Sequence, residues 1–446
     1  MKRVIITILI AVSLTNLKAQ EFTGVHTSPY LPFVGMINQP AELVRDSAKW
    51  NIHLLSAQAG ILSGQSFADN DFWGTLEKFG FHDLKYFLGS EESLLYLKAR
   101  FILPSITYKL NERHSFGLST SVRADGVYNS SNDDFIKLFK GISNPEGLED
   151  IKDEYFRSLV NGWVEYNAAW STVLYKDDHH LLTGGIVLKF LHGLGAGYLQ
   201  LEDVDVMFDK EHIAHLDMKM SYGFNESLGK TIDGGDIIEQ SGDFGIGTDI
   251  GLSYSHVTDE QKMRGMPYKY KVGVVLADFG SIKHSKTKRQ ASYFVSMDDV
   301  PYSRFEGIQT LEALKDSIEK SIDIEKNTGG SFKTRLPLTL AANIDYCIKP
   351  NWFVNGTVVH SPNYYTSTVR LITRSVWRSN VTVRYETKDW GAFLPITHSN
   401  VLGWSMGLAG RYRNFFIGSS SLLSSLMKTG SGQDIVYFGV HIPIKE

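Results

Sequence analysis

DFGIGTDIGLSYSH, residues 243–256, sends Phe244, Ile246, Thr248, Ile250, Leu252 and Tyr254 to one side of an extended chain. It sends Gly245, Gly247, Asp249, Gly251, Ser253 and Ser255 to the other, because successive strand side chains point to opposite faces. One face is apolar and the other polar along the whole segment. A tilted strand crosses a bilayer in about 9–11 residues, whereas strands of soluble domains average about 5–6. The length of this alternation therefore points to a membrane-spanning strand, with lipid on one side and a polar lumen on the other.

The same pattern recurs along most of the chain. Alternation begins at Trp50, and further strands are predicted around 102–110, 114–126, 163–175, 181–192, 213–223, 267–279, 335–347, 351–359, 375–386, 389–396, 401–411, 413–419 and 434–444. Leu216 and Met218 oppose Asp217 and Lys219. Leu336, Leu338, Leu340 and Ile344 oppose Arg335, Thr339 and Asp345, and Leu402, Trp404 and Leu408 oppose Gly403, Ser405 and Gly407. Short connections at 111–114, 176–179, 349–351, 387–389 and 411–414 alternate with long ones at 62–100, 127–160, 226–242 and 281–334, the rhythm of periplasmic turns and external loops. Trp50, Trp352 and Trp390 stand at strand starts on the short-turn side, where an aromatic girdle belongs. The fold class expected is all-β, a transmembrane antiparallel β-barrel of about 14 strands (14–16 counted). Two loop segments, 146–160 and 311–326, carry apolar residues at helical spacing and are expected to be partly helical external caps.

The chain opens as an export signal. Lys2 and Arg3 precede an apolar run from Val4 to Leu14, and Leu17-Lys18-Ala19 offers a cleavage site. Residues 1–19 are read as signal peptide, 20–48 as an N-terminal plug segment and 49–446 as the outer-membrane barrel, which places the protein in the cell outer membrane. Pro29, Pro32 and Pro40 exclude a central strand from the plug segment. Cys347 is the only cysteine, so no intrachain disulfide forms and a Cys-based zinc site is not expected. A formal net charge of −4, with the two signs interspersed, leaves no nucleic-acid footprint.

Chemistry is sparse. His212 and His215 sit three apart, but on a strand that spacing sends them to opposite faces, so no metal is assigned. HGLGAGY (192–198) lacks the Lys-Ser/Thr of a phosphate loop and is read as a flexible tip. Gly403-Trp404-Ser405-Met406-Gly407 has the spacing of a nucleophile elbow but lies within a strand, where no sharp turn exposes the serine. No catalytic residue, enzyme activity or cofactor is expected. Alternation makes Arg123, Lys189, Asp217, Lys219, Asp249, Arg335, Asp345, Arg378 and Arg384 candidates for the lumen, where they either tune a pore or pair with one another.

MINQPAELVRDSAKWNIHLLSAQAGI (36–61) resembles the start of a Bacteroidota outer-membrane family of unassigned function, related to the FadL-type long-chain fatty-acid transporters. Asn38, Pro40, Ala41, Leu43 and Asp46 match its Asn-Pro-Ala-x-Leu motif and following Asp, with Gln39 interrupting the Asn-Pro pair. The tail segments RYETKDWGAFLPITHSN, NFFIGSSSLL and DIVYFGVHIPI are also similar to that family. The resemblance implies a barrel of about 14 strands with an N-terminal plug in the lumen. One departure is the C-terminus, Ile444-Lys445-Glu446, where such barrels often end on an aromatic residue read by the barrel-assembly machinery; Tyr437 or Phe438 would have to serve instead. The partners expected are outer-membrane lipid, that assembly machinery and a hydrophobic small molecule. Two function classes stay open: a passive channel or carrier for small molecules, hydrophobic ones included, and a structural or interaction barrel such as an accessory of a secretion or gliding system.

Overall fold

A computed structural model describes residues 22–63, 93–130, 150–209, 212–225, 243–284, 287–301, 330–360, 371–372, 378–399, 403–427 and 433–444. In chain order the strands are β1 (Trp50–Ser63), β2 (Ser93–Ile102), β3 (Ser105–Lys109), β4 (His114–Ser130), β5 (Ile151–Lys176), β6 (His180–Phe208) and β7 (His212–Asn225). They continue with β8 (Phe244–His256), β9 (Tyr270–His284), β10 (Thr287–Pro301), β11 (Phe332–Arg335), β12 (Thr339–Lys349), β13 (Trp352–His360) and β14 (Leu371–Ile372). The last are β15 (Arg378–Glu386), β16 (Trp390–Ser399), β17 (Gly403–Met406), β18 (Leu408–Tyr412), β19 (Phe415–Ser419) and β20 (Gln433–Ile444). They close into a 14-stave antiparallel barrel. Several staves are built from two pieces: β2 with β3, and β17 with β18, pair in succession with the same neighbours. Closure comes from β1 against β20, from Trp50 opposite Ile444 to Leu62 opposite Gln433.

On β8 the exposed residues Phe244, Ile246, Ile250 and Leu252 alternate with buried Asp249, Gly251, Ser253 and Ser255, and β12 does the same with Leu340 and Ile344 against Thr339 and Asp345. An apolar side that the protein leaves uncovered, around a buried polar interior, is the signature of a barrel standing in lipid. The protein is therefore an outer-membrane barrel. At the short-turn end, the ring of Trp50 lies 4.2 Å from that of Tyr108, and Tyr385 lies 5.2 Å from Trp352 and 4.9 Å from Trp390. These aromatics form a belt on the side that the turn rule makes periplasmic.

β7 is not a stave. β5 and β6 run for 26 and 29 residues, longer than the barrel wall needs. β6 pairs with β8 from His180 to His192 and then, from Gly197 onward, with β7, which in turn pairs with β10. HGLGAGY is thus the place within β6 where the strand changes partner, and not a flexible tip. Beyond it, Leu216 and Met218 are 3% and 4% exposed, packed with Phe156, Leu201, Val295 and Met297 and with Ile61 and Leu95 of the barrel. They face protein rather than lipid. Asp217 and Lys219 occupy the opposite, solvent-facing side, where Asp217 pairs with His215 and Lys219 with Asp203. Neither reaches the lumen.

Arg335 is a second correction. Leu336-Pro337-Leu338 interrupts the ladder between β11 and β12, and the alternation changes phase across it. Arg335 is consequently exposed, while Leu336 turns in to Trp163, Leu191 and Ile282. The segment expected to be helical at 146–160 is strand from Ile151 onward; the one at 311–326 lies outside the described residues.

Candidate functional site in the lumen

Residues 22–46 lie inside the barrel. Pro32 opens a helix, Pro32–Asn38, and Pro40 opens a 3-10 turn, Pro40–Arg45; each proline takes a first-turn position where its missing N–H costs nothing. Phe22, Leu31, Phe33, Met36 and Leu43 are almost completely buried and share one apolar cluster with Phe393, Phe416 and Tyr437 of the wall. The ring of Phe33 stacks 4.2 Å from His53.

Wall glycines let this segment approach closely. A Cβ on Gly185 would stand 2.4 Å from the carbonyl carbon of Pro40, and one on Gly251 1.8 Å from Gln39 Oε1. In that socket Gln39 Nε2 donates to the carbonyls of Leu252 (3.2 Å) and Val274 (3.0 Å). Gln39, the residue that interrupts the family motif, therefore helps tie the segment to β8 and β9. Of the motif residues, Asn38 donates to Val34 O at 3.0 Å, Ala41 O accepts from Ser171 Oγ at 3.3 Å, and Leu43 is in the apolar cluster. Asp46 caps the exit: its Oδ1 accepts Ala48 N at 3.0 Å, its other oxygen accepts Asn51, and its carbonyl accepts Lys109 Nζ at 3.0 Å.

Ion pairs join segment and wall. Glu42 Oε2 lies 2.7 Å from Lys271 Nζ, and Arg45 Nη1 donates to Ser255 Oγ at 2.7 Å. Burial alone would push the Glu42 carboxyl up, but Lys271 and Arg45 pull it down to about 2. His26 is driven the other way by burial, to about 3, with the guanidinium of Arg384 adding to the effect, so its imidazole is neutral.

The wall itself carries two buried charge networks. In one, Glu165 accepts Arg100 and Arg123, each at 3.0 Å. Asp278 takes Arg123 at 3.0 Å and Lys189 at 2.5 Å, and Asp249 takes Lys189 at 2.8 Å. Trp163 Nε1 donates to Glu165 at 3.0 Å, and its ring underlies Arg123. In the other, Arg384 reaches Asp345 at 2.8 Å and Glu386 at 3.2 Å, Arg411 reaches Glu386 at 3.1 Å, and Tyr268 OH donates to Asp345 at 2.8 Å. Arg384 also donates to Thr27 Oγ1 at 2.9 Å, and Ser28 to Glu386. Charges removed from water need such partners.

Alternation thus brought Arg123, Lys189, Asp249, Asp345 and Arg384 together; Arg378 is buried near the far end of β15. It missed Glu165, Asp278, Arg100, Lys271, Tyr268, Glu386 and Arg411. Asp278 was hidden by a bulge: β9 holds an extra residue opposite Asp249, Asp278 adopts φ +58°, and its N–H donates to Asp249 Oδ1 at 2.7 Å. Glu165, Lys271 and Glu386 were readable as inward positions of their strands.

Between the N-terminal segment and the two networks lies a cavity of about 70 Å³, partly open to solvent. His26, Asn38, Gln39 and Glu42 line it from the segment; Lys189, Asp249, Lys271, Val275, Ala341, Asn343 and Asp345 line it from the wall.

Among solved structures, the chain is similar to a deltaS2S3 mutant of the monoaromatic hydrocarbon channel TodX, at 9% identity over 97% of this chain and 98% of that one, with a TM-score of 0.46. It is also similar to a FadL homologue of Pseudomonas aeruginosa (10% identity, 96% and 100% covered, TM-score 0.43) and to the Ralstonia pickettii toluene transporter TbuX (10%, 96% and 95%, 0.41). No curated protein sequence matches. The sequence pattern of a family of unknown function, DUF5723, matches residues 40–420, most of the barrel with the last residues of its lumenal segment, and the protein belongs to that family.

Proposed function

We propose that this protein is a passive channel or carrier for small molecules, hydrophobic ones included, with residues 22–46 acting as its plug. The reading is carried by a partly open cavity of about 70 Å³ within the closed barrel, bounded on one side by the N-terminal segment and on the other by the wall. A barrel with a purely mechanical task has no need of such a compartment, since protein interiors otherwise pack to the density of organic crystals. Ile37, Val275, Ala277, Pro337 and Ala341 give part of its lining an apolar character. The reading assigns no catalysis. For assembly it assigns the outward-facing Phe438, 41% exposed on β20, as the terminal aromatic offered to the barrel-assembly machinery, because the Tyr437 hydroxyl is engaged by Thr23 O.

The test is planar-bilayer conductance of the mature chain with and without residues 21–46. Deletion should raise conductance or small-solute flux while migration on gels stays heat-modifiable. Unchanged permeability in a correctly assembled barrel would reject the plug and favour an interaction barrel.

A further inference from the structure

Resting on that channel-or-carrier reading, we infer that the cavity takes a small uncharged amphiphile, with an apolar body and a hydroxyl or amide group, and that it refuses ions and plain hydrocarbons.

Four basic and four acidic side chains line the cavity. Lys271 is held by Glu42 at 2.7 Å, Lys189 by Asp249 at 2.8 Å and Asp278 at 2.5 Å, Arg100 by Glu165 at 3.0 Å, and Asp345 by Arg384 at 2.8 Å. An entering carboxylate or ammonium would leave its hydration shell and meet, at Lys271, Lys189, Arg100 and Asp345, charges already paired, so it could not recover that loss there.

The second observation is a ladder on the lumenal face of β9 and β12. Ala341 stands opposite Val275, and the next inward rung sets Asn343 opposite Gly273. Val275 and Ala341 are buried in one apolar cluster with Val359. Asn343 is half-buried and lines the cavity, and its side-chain amide makes no hydrogen bond to any described residue. Gly273, having no side chain, leaves room over the strand that the Asn343 amide shares with Nε2 of Gln39. Two residues along a strand span roughly 7 Å, so an apolar floor and an amide with both donor and acceptor lie one short molecule apart. A hydrocarbon would cover the amide without replacing its hydrogen bonds to water. A molecule carrying a hydroxyl at that distance from its apolar centre satisfies both rungs.

The test uses one skeleton with four ends: 3-phenylpropanol, 3-phenylpropionate, 3-phenylpropylammonium and propylbenzene. Binding to the full chain in nanodiscs is measured by calorimetry against protein-free nanodiscs. The alcohol should bind about five- to tenfold more tightly than propylbenzene, the ratio one uncharged hydrogen bond gives, and both ions should bind more weakly still. Asn343→Leu should bring the alcohol down to the level of propylbenzene. Glu42→Gln, which leaves Lys271 without its carboxylate, should raise the affinity for 3-phenylpropionate and not for the ammonium. Equal binding of all four compounds, tighter binding of either ion by the unaltered chain, no binding of the alcohol, or an Asn343→Leu chain indistinguishable from the parent would each overturn the inference. Should the plug deletion change conductance while the four compounds bind alike, this inference fails alone; should the deletion change nothing, the channel reading fails whatever binds.

Discussion

Lys271 Nζ, on the barrel wall, lies 2.7 Å from Oε2 of Glu42 in the N-terminal segment, and both side chains are largely shielded from solvent. Removing one partner of such a pair strands the other. Glu42→Gln should therefore loosen the segment by about 3 kcal/mol, the order found when a buried pair loses one member. The pH dependence has a definite sign. The Glu42 carboxyl sits at about 2 in place of its ordinary 4.5, so its contribution is complete above about pH 4.5 and fades as the pH falls through 2. Protease protection of residues 22–46 in the assembled barrel should fall over that interval in the parent chain, and should lose that component in Glu42→Gln. Protection that is unaffected by the substitution at neutral pH would show that the pair holds nothing.

The glycine sockets give a steric version of the same experiment. A methyl group on Gly185 would meet the Pro40 backbone at 2.4 Å, and one on Gly251 would meet Gln39 Oε1 at 1.8 Å. Both wall positions lie in regular ladder pairing, opposite each other on β6 and β8, so alanine suits the strand itself. Gly185→Ala or Gly251→Ala should leave the barrel heat-modifiable while displacing the segment, at a cost of about 1–3 kcal/mol typical of overpacking. Raised conductance with an intact barrel is the expected result; an unchanged closed state in both variants would mean that the contacts are not limiting.

Leu340 and Met218 look alike in the sequence, each an apolar residue on the apolar side of an alternating run, yet one faces lipid and the other protein. Leu340 is 44% exposed on the barrel exterior; Met218 is 4% exposed beneath the β7–β10 sheet. Leu340→Arg should destabilise refolding into bilayers by about 2–4 kcal/mol if it lies near the midplane. Met218→Arg should instead open the extension, measured as proteolysis around residues 197–225, while the barrel still folds into lipid. Equal effects on barrel insertion would place both residues in the membrane.

That pair of residues also marks where the sequence stops being informative. Period-two alternation identified β8, β12 and the barrel they belong to, because a lipid-facing strand and a lumen demand it. It cannot distinguish lipid from a protein core on the apolar side, which is why β7 read as a stave. The partner change in β6 depends on which strand arrives beside it, a non-local event that leaves only a run of glycines. Phase was lost wherever a residue was inserted or an extended run was broken, at Asp278 and at Pro337. The lumenal charges were legible one by one, but their pairing required the closed ring.

Glu165 is the residue on which one lumenal network converges. Its carboxylate is fully buried and holds Arg100 and Arg123, each at 3.0 Å, together with the indole N–H of Trp163. Glu165→Gln keeps the shape but leaves two guanidinium groups with less compensating charge; Arg123 retains Asp278, and Arg100 loses the Glu165 carboxylate. A loss of about 3–5 kcal/mol is expected in denaturant unfolding from lipid. Pairing Glu165→Gln with Arg100→Met removes one of those guanidinium charges as well, and should recover part of that loss, since a buried ion pair is often replaceable by apolar groups. The same double chain should keep the lumenal segment protected, because none of its contacts to Lys271, Ser255 or Leu252 involves Glu165. A double variant less stable than Glu165→Gln alone would mean that Arg100 earns its place through partners other than Glu165.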